Sequence, residues 1–233
     1  MTLNVLRNGE RISYTLAKRE ATLLEFLTEI KTTQDASLSF ASDCRSSVCG
    51  SCAVRVNGKE VLACAYKPES GDTVEPLNNL PVIRDLVVDM EKALSFNKVA
   101  KAWAVSPEAL PKVSPEQAEV NEVQSDCILC GACYSACPVY TVNPEFIGPF
   151  ALTRNWRYVS DAREDDVTGK IAAVQTNGVW DCTLCGECVP VCPQGIAPKS
   201  DIDMLRNKSN VLGYMDPKYA SFGGGLDFGA PTF

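Results

Sequence analysis

The 233-residue sequence contains no histidine. This absence excludes imidazole acid–base catalysis, Ser-His-Asp and Cys-His nucleophiles, and the histidine ligands of Rieske-type clusters. No run of 18 or more apolar residues is present, so we expect no membrane-spanning helix. The opening Met1-Thr-Leu-Asn-Val leads to charges at Arg7 and Glu10 without an apolar segment, so we expect no signal peptide.

Positive charge is also in short supply. The sequence has 22 Lys and Arg against 29 Asp and Glu, which gives a formal net charge of −7. This balance argues against nucleic acid or an anionic membrane surface as the main partner. No basic patch or DNA-binding helix is visible. The length allows one large domain or two small ones.

Cysteine, in contrast, is abundant, with twelve residues. A chain of this length does not need disulfides to be stable. The spacings between the cysteines are typical of metal ligands, so we expect thiolates on metal instead of six disulfides.

Eight of the cysteines lie in two copies of one segment. Residues 126–138 read DCILCGACYSACP and residues 181–193 read DCTLCGECVPVCP, identical at 8 of 13 positions. Both are C-x2-C-x2-C-x3-C-P, the pattern of bacterial two-cluster ferredoxins, in which the fourth cysteine of each run ligates the other cluster. The pattern therefore predicts one [4Fe–4S] cluster on Cys127, Cys130, Cys133 and Cys192, and a second on Cys137, Cys182, Cys185 and Cys188.

The remaining four cysteines form a different pattern. Cys44, Cys49, Cys52 and Cys64 have the C-x4-C-x2-C…C spacing of plant-type [2Fe–2S] clusters. Small residues around Cys49 would let backbone N–H groups point at the sulfur atoms. A zinc site is the alternative, although zinc sites favour two C-x2-C pairs. Because the sequence combines many potential cluster ligands with no histidine, it favours electron transfer over bond chemistry.

The order of predicted elements gives the fold class. Alternating residues on both sides of Asn8-Gly9 predict a hairpin, and a second hairpin joins residues 53–56 to 61–64 through Asn57-Gly58. Thr22-x-x-Glu25 predicts the start of a helix, and residues 73–75 predict a closing strand. We therefore expect an α+β fold, with an N-terminal β-grasp plant-type ferredoxin domain and a C-terminal α-helical bacterial-type two-cluster ferredoxin domain.

The rest of the chain is predicted as connections and helices. Residues 81–104 are predicted as a connecting helix with Leu86, Met90 and Leu94 on one face, and 105–119 as an irregular linker. Further helices are expected at 147–160, 167–177 and 199–206, and residues 207–233 as an extended arm or a frayed terminus. The resulting domains are 1–98, with the [2Fe–2S] cluster, and 99–233, with two [4Fe–4S] clusters and the C-terminal arm.

Three segments resemble the iron–sulfur subunits of succinate dehydrogenases and fumarate reductases: Cys-Arg-x-x-x-Cys-Gly-Ser-Cys at 44–52, PVIRDLVVDM at 81–90, and NPEFIGP at 143–149. The resemblance covers nearly the whole chain. It implies an electron-transfer subunit whose partner is an FAD-containing flavoprotein that interconverts succinate and fumarate. The implied order is flavin, [2Fe–2S], the [4Fe–4S] of the first repeat, then the third cluster near a quinone or another terminal partner.

The sequence departs from the usual family pattern at Cys185. The usual member has a Val, Ile or similar residue there and a [3Fe–4S] third cluster. With Cys185 present, we expect a second [4Fe–4S] cluster of lower potential. The alternative is a buried free thiol beside a [3Fe–4S] cluster.

A second departure concerns the quinone pocket. The resemblance places Val142 and Thr183 where the usual pocket has a Trp and a His. Together with Cys185, this is similar to the minority, methylmenaquinol:fumarate reductase-like class, which pairs with a cysteine-rich CCG-type subunit. The chain itself has no CCG motif. The third partner is therefore expected to be a CCG-type or membrane-associated subunit.

The expected location is peripheral to the inner membrane, on the cytoplasmic side, with periplasmic export alongside a twin-arginine partner as the alternative. We expect neither nucleic acid nor a small-molecule substrate in this chain. Two other functions stay open: an iron–sulfur subunit of another flavoenzyme, such as a thiol:fumarate reductase, and an iron–sulfur redox sensor.

Overall fold

The computed structural model describes residues 1–17, 20–109 and 111–220. A mixed β-sheet with one helix against it forms the N-terminal part, and helices form the C-terminal part. This is the predicted α+β arrangement. The proposed division of the chain at residues 98 and 99 stays a prediction.

The main sheet has five strands in the order β2-β1-β5-β3-β4. Strands β1 and β5 run parallel, and the other neighbouring pairs run antiparallel. The strands are β1 (Thr2–Arg7), β2 (Glu10–Thr15), β3 (Ala53–Val56), β4 (Lys59–Leu62) and β5 (Thr73–Glu75).

Both predicted Asn-Gly turns are present. Asn8 and Gly9 have φ of 50° and 84°, and Asn57 and Gly58 have 51° and 82°, as a type I′ turn requires. The second hairpin differs from its predicted bounds. Its two-residue turn pairs Val56 with Lys59, so β4 begins at Lys59 and ends before the last cysteine of the N-terminal set.

Helix α1 (Leu23–Thr33) packs against this sheet. It begins with the predicted capping box, in which Thr22 accepts from the Glu25 backbone N–H and the Glu25 carboxylate accepts from the Thr22 backbone N–H. The backbone N–H groups at the start of a helix have no partner within the helix, and the capping box satisfies two of them. The buried side of the helix carries Leu23, Leu24, Phe26, Leu27 and Ile30.

Short helices dominate the C-terminal part. They are α2 (Glu91–Val99), α3 (Pro115–Glu119), α4 (Glu122–Ser125), α5 (Ala132–Ser135), α6 (Pro149–Val159), α7 (Val167–Ala173), α8 (Pro198–Val211) and α9 (Pro217–Ala220), with a 3₁₀ turn at Pro138–Thr141. Helix α6 agrees with its prediction, α7 is shorter and α8 is longer. Phe146, Phe150, Ile171, Ile202 and Leu205 are buried between these helices.

The single connecting helix predicted at 81–104 is wrong in its first half. Residues Val82–Arg84 (β6) and Val87–Val88 (β7) form a small antiparallel hairpin, and a helix begins only at Glu91. Leu86 is buried in the hairpin turn, whereas Leu94 is 39% exposed. The buried residues of α2 are instead Ala93 and Phe96.

A buried ion pair explains this hairpin. Arg7 donates from Nε to Asp85 Oδ1 at 2.9 Å and from Nη2 to Asp85 Oδ2 at 3.1 Å. The Ser39 backbone N–H also donates to Asp85 at 2.8 Å. Asp85 has φ of 50°, which a helix does not allow. These contacts with distant residues outweigh the local helical pattern.

Two further segments differ from their predictions. Residues 105–119 are not entirely irregular, because α3 lies within them. It starts with a capping box between Ser114 and Gln117 and has Pro115 in its first turn. Of the predicted arm at 207–233, residues up to 220 include the end of α8 and α9. The glycines at 223–225, Phe228 and Phe233 lie outside the described residues. In the parts of the chain that are described, no helix has the length and apolar character needed to cross a bilayer.

Replacing Asp85 by Asn tests the role of the buried ion pair. Arg7 is paired with both Asp85 and Asp35, so the substitution removes one of the two counter-charges of a buried guanidinium. We expect a loss of about 2 kcal/mol of stability. Urea denaturation of the cluster-loaded variant, compared with wild type by the circular dichroism of the sheet, measures this.

The matched control is Glu145→Gln, which removes the exposed ion pair between Lys92 and Glu145. Exposed pairs contribute little, so this variant should lose about 0.5 kcal/mol or less. Equal losses of stability in Asp85→Asn and Glu145→Gln would contradict the role given to the buried ion pair.

Candidate iron–sulfur sites

The N-terminal cysteine loop directs backbone donors at sulfur. The N–H groups of Ser46 and Cys49 lie 3.4 Å and 3.3 Å from Cys44 Sγ. The N–H group of Ser47 lies 3.3 Å from Cys64 Sγ, so the loop reaches the cysteine that follows β4. Donors aimed at sulfur stabilise its negatively charged form, as ligation of iron requires.

The thiols of this loop differ in acidity. A hydrogen bond with the Ser51 hydroxyl, at 3.2 Å, is the main cause that lowers the pKa of Cys49 to about 7. Burial raises the pKa of Cys52 to about 11. Burial also acts to raise the pKa of Cys64, but hydrogen bonds with Ser47 and Cys52 outweigh it, so the net shift is downward.

The two repeats have the same backbone conformation. In the first, Leu129 and Gly131 on either side of the second cysteine have φ of 54° and 81°. In the second, Leu184 and Gly186 have φ of 55° and 89°. The left-handed backbone conformation is energetically costly for leucine, yet leucine adopts it at the same position in both repeats. The backbone therefore wraps Cys185 in the way it wraps the equivalent cysteine of the first repeat.

One group of cysteines encloses a cavity beside α5. The cavity is lined by Phe150, Ile196 and the four cysteines Cys127, Cys130, Cys133 and Cys192. The pKa of Cys130 is raised to about 11, chiefly by burial and in smaller part by negative charge at Cys192 and Cys127. The structure thus brings together the first three cysteines of one repeat and the last cysteine of the other.

The other group has the reciprocal composition. Burial is the first cause that raises the pKa of Cys137 to about 11, and charge at Cys182 and Cys185 adds to it. Burial likewise raises the pKa of Cys188 to about 12, with charge at Cys182 and Cys137 adding to it. Cys185 is exposed, whereas Cys137 and Cys188 are buried.

These sets suit clusters better than single ions or disulfides. All twelve cysteines are free thiols. Within the described residues, no three Cys, Asp or Glu side chains converge closely enough to hold one metal ion. The separation of these side chains gives no support to a zinc ion in the N-terminal cysteine set. The cavity walls, the donors aimed at sulfur and the four-cysteine sets fit groups that contain several iron atoms.

Val142 and Thr183 lie where the protein surface is open. Val142 is 83% exposed at the end of the 3₁₀ turn, and Thr183 is exposed beside Cys182. Neither side chain supplies an aromatic ring or an ionisable group.

Sequence reasoning missed several residues that support the sites. Arg206 on α8 donates from Nε to the Val179 carbonyl at 2.8 Å, and its charge partly offsets the burial that raises the pKa of Cys182. Gln194 donates to the Ser47 carbonyl at 3.2 Å and so ties the second repeat to the N-terminal loop. The sequence carried no signal for either contact, because both link distant segments.

A second set of missed residues joins the sheet to α5. Ser135 donates to the buried Glu60 carboxylate at 2.7 Å and accepts from the Asn78 backbone N–H at 2.7 Å. Asn79 donates to the carbonyls of Tyr134, Ser135 and Cys137 at 2.9–3.2 Å. These bonds fix the end of α5 between the cysteines of the first repeat.

Two family models match the chain. The 2Fe-2S iron-sulfur cluster binding domain matches residues 7–95, and the 4Fe-4S dicluster domain matches residues 123–196. The chain therefore contains one domain of each type.

Named relatives cover most of the chain. It is 38% identical over 218 residues to the 8-methylmenaquinol:fumarate reductase iron-sulfur subunit of Wolinella succinogenes, covering 86% of this chain and 68% of the relative. It is 39% identical over 202 residues to the fumarate reductase iron-sulfur subunit of Mycobacterium tuberculosis, covering 81% of each. Each relative is named as a subunit, which indicates a component of a larger oxidoreductase.

The fold also matches a solved structure. A chain of the Mycobacterium smegmatis Sdh1 complex in the apo form superposes with a TM-score of 0.81 at 24% identity, covering 93% of this chain and 98% of that one. This likeness concerns the fold, and the family rests on the sequence relatives. The chain belongs to the family of electron-transfer iron–sulfur subunits of succinate dehydrogenases and fumarate reductases.

Proposed function

We propose that this chain carries single electrons through three iron–sulfur clusters between a flavoprotein and a terminal partner in a succinate/fumarate oxidoreductase. The observation that carries the proposal is the succession of three four-cysteine sets, with the N-terminal loop in contact with the first repeat at Gly50 and with the end of the second repeat at Ser47. When bound, such clusters supply one-electron redox chemistry, with potentials set by net charge, hydrogen bonds to sulfur and solvent exposure.

The proposed ligands follow the geometry of the three sets. Cys44, Cys49, Cys52 and Cys64 hold [2Fe–2S], with backbone N–H groups directed at two of the sulfur atoms. Cys127, Cys130, Cys133 and Cys192 hold [4Fe–4S] in the cavity next to α5. Cys137, Cys182, Cys185 and Cys188 hold the third cluster.

We propose that the third cluster is also [4Fe–4S]. The support is the matching pair of left-handed residues around Cys185 and its first-repeat equivalent. Charge at Cys185 also contributes to the raised pKa of Cys137 and of Cys182, which supports a site shared by these three cysteines. A fourth thiolate adds negative charge to the site, so we expect a lower potential than that of a [3Fe–4S] cluster.

The partners follow from the two ends of this chain of clusters. At the N-terminal loop we propose a flavoprotein subunit with FAD, where the succinate and fumarate chemistry occurs. At the third cluster we propose a membrane-associated or CCG-type subunit, because the exposed Val142 and Thr183 give no support to the usual quinone pocket. The chain is then peripheral to the inner membrane, with the cytoplasmic side as the proposed location.

The name of the Wolinella succinogenes relative favours the fumarate side of this chemistry with a quinol-linked donor. A subunit of another flavoenzyme, such as a thiol:fumarate reductase, remains the second candidate. A sensor function has weaker support, because three cluster sets in succession are arranged for transfer.

Co-purification tests the proposed function. The chain, isolated anaerobically from its native cells, should carry an FAD-containing partner that reduces fumarate or oxidises succinate. A flavoprotein partner that is inert towards both compounds would overturn the succinate/fumarate assignment and favour another flavoenzyme.

Iron analysis tests the cluster content. One [2Fe–2S] and two [4Fe–4S] clusters require about ten iron atoms per chain, whereas a three-iron third cluster lowers the number to about nine. The measurement is the iron-to-protein ratio of the anaerobic complex, with sulfide analysis as the internal control. A ratio that stays at the lower value after reconstitution contradicts the second [4Fe–4S] cluster.

Replacing Cys185 by Val tests the ligand that distinguishes the third cluster. Without this thiolate one iron loses its protein ligand, so the oxidised variant should show the electron paramagnetic resonance signal of [3Fe–4S]. The matched control is Thr183→Val, which alters the same turn but keeps all four thiolates. A [3Fe–4S] signal of equal strength in wild type, purified and oxidised under the same conditions as the variant, would show that Cys185 is not a ligand.

A further inference from the structure

Gly50 lies in direct contact with a cysteine of the other part of the chain. It follows Cys49 in the N-terminal loop and faces the first repeat. A methyl group built on Gly50 would lie 2.7 Å from Cys130 Cβ, 2.9 Å from Cys130 Cα and 3.2 Å from the Ile128 carbonyl oxygen. Carbon atoms in van der Waals contact lie about 3.5–4.0 Å apart, so there is no room for any side chain.

The atoms that Gly50 meets cannot move independently. Cys130 Cα and the Ile128 carbonyl belong to the backbone. Cys130 Cβ is bonded on one side to that backbone and on the other to Sγ, the proposed iron ligand. Gly131 provides a contrast, because a methyl group there would meet the flexible ends of Met90 and Leu77. A side chain at Gly50 would therefore have to displace one cysteine loop from the other.

The need for glycine here goes beyond backbone conformation. Gly50 has φ of 74°, a value that favours glycine. Gly58 has a similar φ of 82°, but its nearest neighbour to an added methyl group is Arg55 Nη2 at 3.6 Å. The two positions share the conformational requirement, and only the close approach distinguishes Gly50 from Gly58.

Other contacts hold the two loops at this separation. The Gln194 side chain donates to the Ser47 carbonyl at 3.2 Å, from the segment that follows Cys192. A cavity beside Gly50 is lined by Cys49, Cys130 and Met90, so cysteines of both sets lie on its walls.

We propose that Gly50 is a positioning residue that sets the separation of the first two clusters and thereby the rate of electron transfer between them. The inference rests on the proposed electron-transfer function. One electron leaves the iron held by the N-terminal loop and the same electron is gained by the iron of the first repeat. No bond is made or broken, and no proton is required.

The chemical reason is the continuity of the path. Gly50 is bonded directly to Cys49 and touches Cys130, so two proposed ligands are joined by one residue and one van der Waals contact. Electron tunnelling weakens steeply with distance and is weaker across a gap than along bonded atoms. A displacement of the loops that leaves every ligand in place should therefore slow the transfer.

The test compares Gly50→Ala with Gly58→Ala in the complete, anaerobically purified complex. The first readout is magnetic: the faster spin relaxation that a reduced [4Fe–4S] cluster causes in the reduced [2Fe–2S] signal. The second is the rate of intercluster transfer after rapid reduction. We expect a weaker relaxation effect and several-fold slower transfer in Gly50→Ala, with both close to wild type in Gly58→Ala.

The outcomes separate this inference from the proposed function. If wild type lacks the [2Fe–2S] and [4Fe–4S] signals, the proposed function fails. If wild type has them, and Gly50→Ala keeps full iron content with unchanged relaxation and rate, the role of Gly50 is overturned.

If Gly50→Ala does not assemble its clusters, Gln194→Ala decides, because it loosens the same approach without steric conflict. A weakened relaxation effect at full iron content supports the proposal, and an unchanged one overturns it.

Discussion

The constraint on which the structure depends is that short stretches of backbone must turn their cysteine sulfurs towards one point. Ordinary right-handed or extended backbone cannot do this over two or three residues. Left-handed residues therefore occur beside the cysteines, including the non-glycine residues Arg45, Ser47, Leu129 and Leu184. Such conformations cost roughly 1–2 kcal/mol each for non-glycine residues. Hydrogen bonds to sulfur, and in the proposed function iron ligation, offset that cost.

Hydrogen bonds between the sheet and the helices couple the position of one cysteine set to that of the next. Ser135, Glu60 and the Asn78 N–H form a buried hydrogen-bond chain, and the two N–H groups of the Asn79 side chain are shared among three carbonyls near the end of α5. A buried carboxylate is tolerated only with such partners. Because these bonds link the sheet to the segment that contains the first-repeat cysteines, the position of one cysteine set depends on the folding of the other part.

The parts that could be predicted from sequence are those set by local chemistry. Asn8-Gly9 and Asn57-Gly58 determine their turns by themselves, and Thr22 and Glu25 cap their own helix. The capping box at Ser114 and Gln117 is a local signal of the same kind, although it lies in a segment whose prolines favour an irregular linker. Cysteine spacing is local in the same sense, and the three ligand sets that it indicates stay a prediction.

The features that the sequence did not predict depend on contacts between distant segments. The segment at 81–90 has a helical pattern, yet Asp85 pairs with Arg7, which lies 78 residues earlier. Gly50 would be read from sequence as a glycine for a tight turn, and nothing local indicates that Cys130 lies against it. Tertiary contacts between distant segments are invisible to local patterns, and here they decide both the hairpin and the approach of the two cysteine loops.

The proposed exchange of the fourth cysteine between the two repeats has a consequence for how the sites form. Burial is the main cause that raises the pKa of Cys133, and charges at Cys130, Cys127, Cys188 and Cys192 contribute to the increase. The cysteine on α5 is therefore influenced by the charges of cysteines in both repeats. In the proposed assignment neither repeat by itself supplies four ligands to one site. In the proposed assignment each cluster would therefore require both repeats to be folded, and loss of one cluster would remove an anchor from the repeat that holds the other. In the proposed assignment Cys185 would bind only the third cluster, but its loss would also affect the repeat that shares Cys137 with that site.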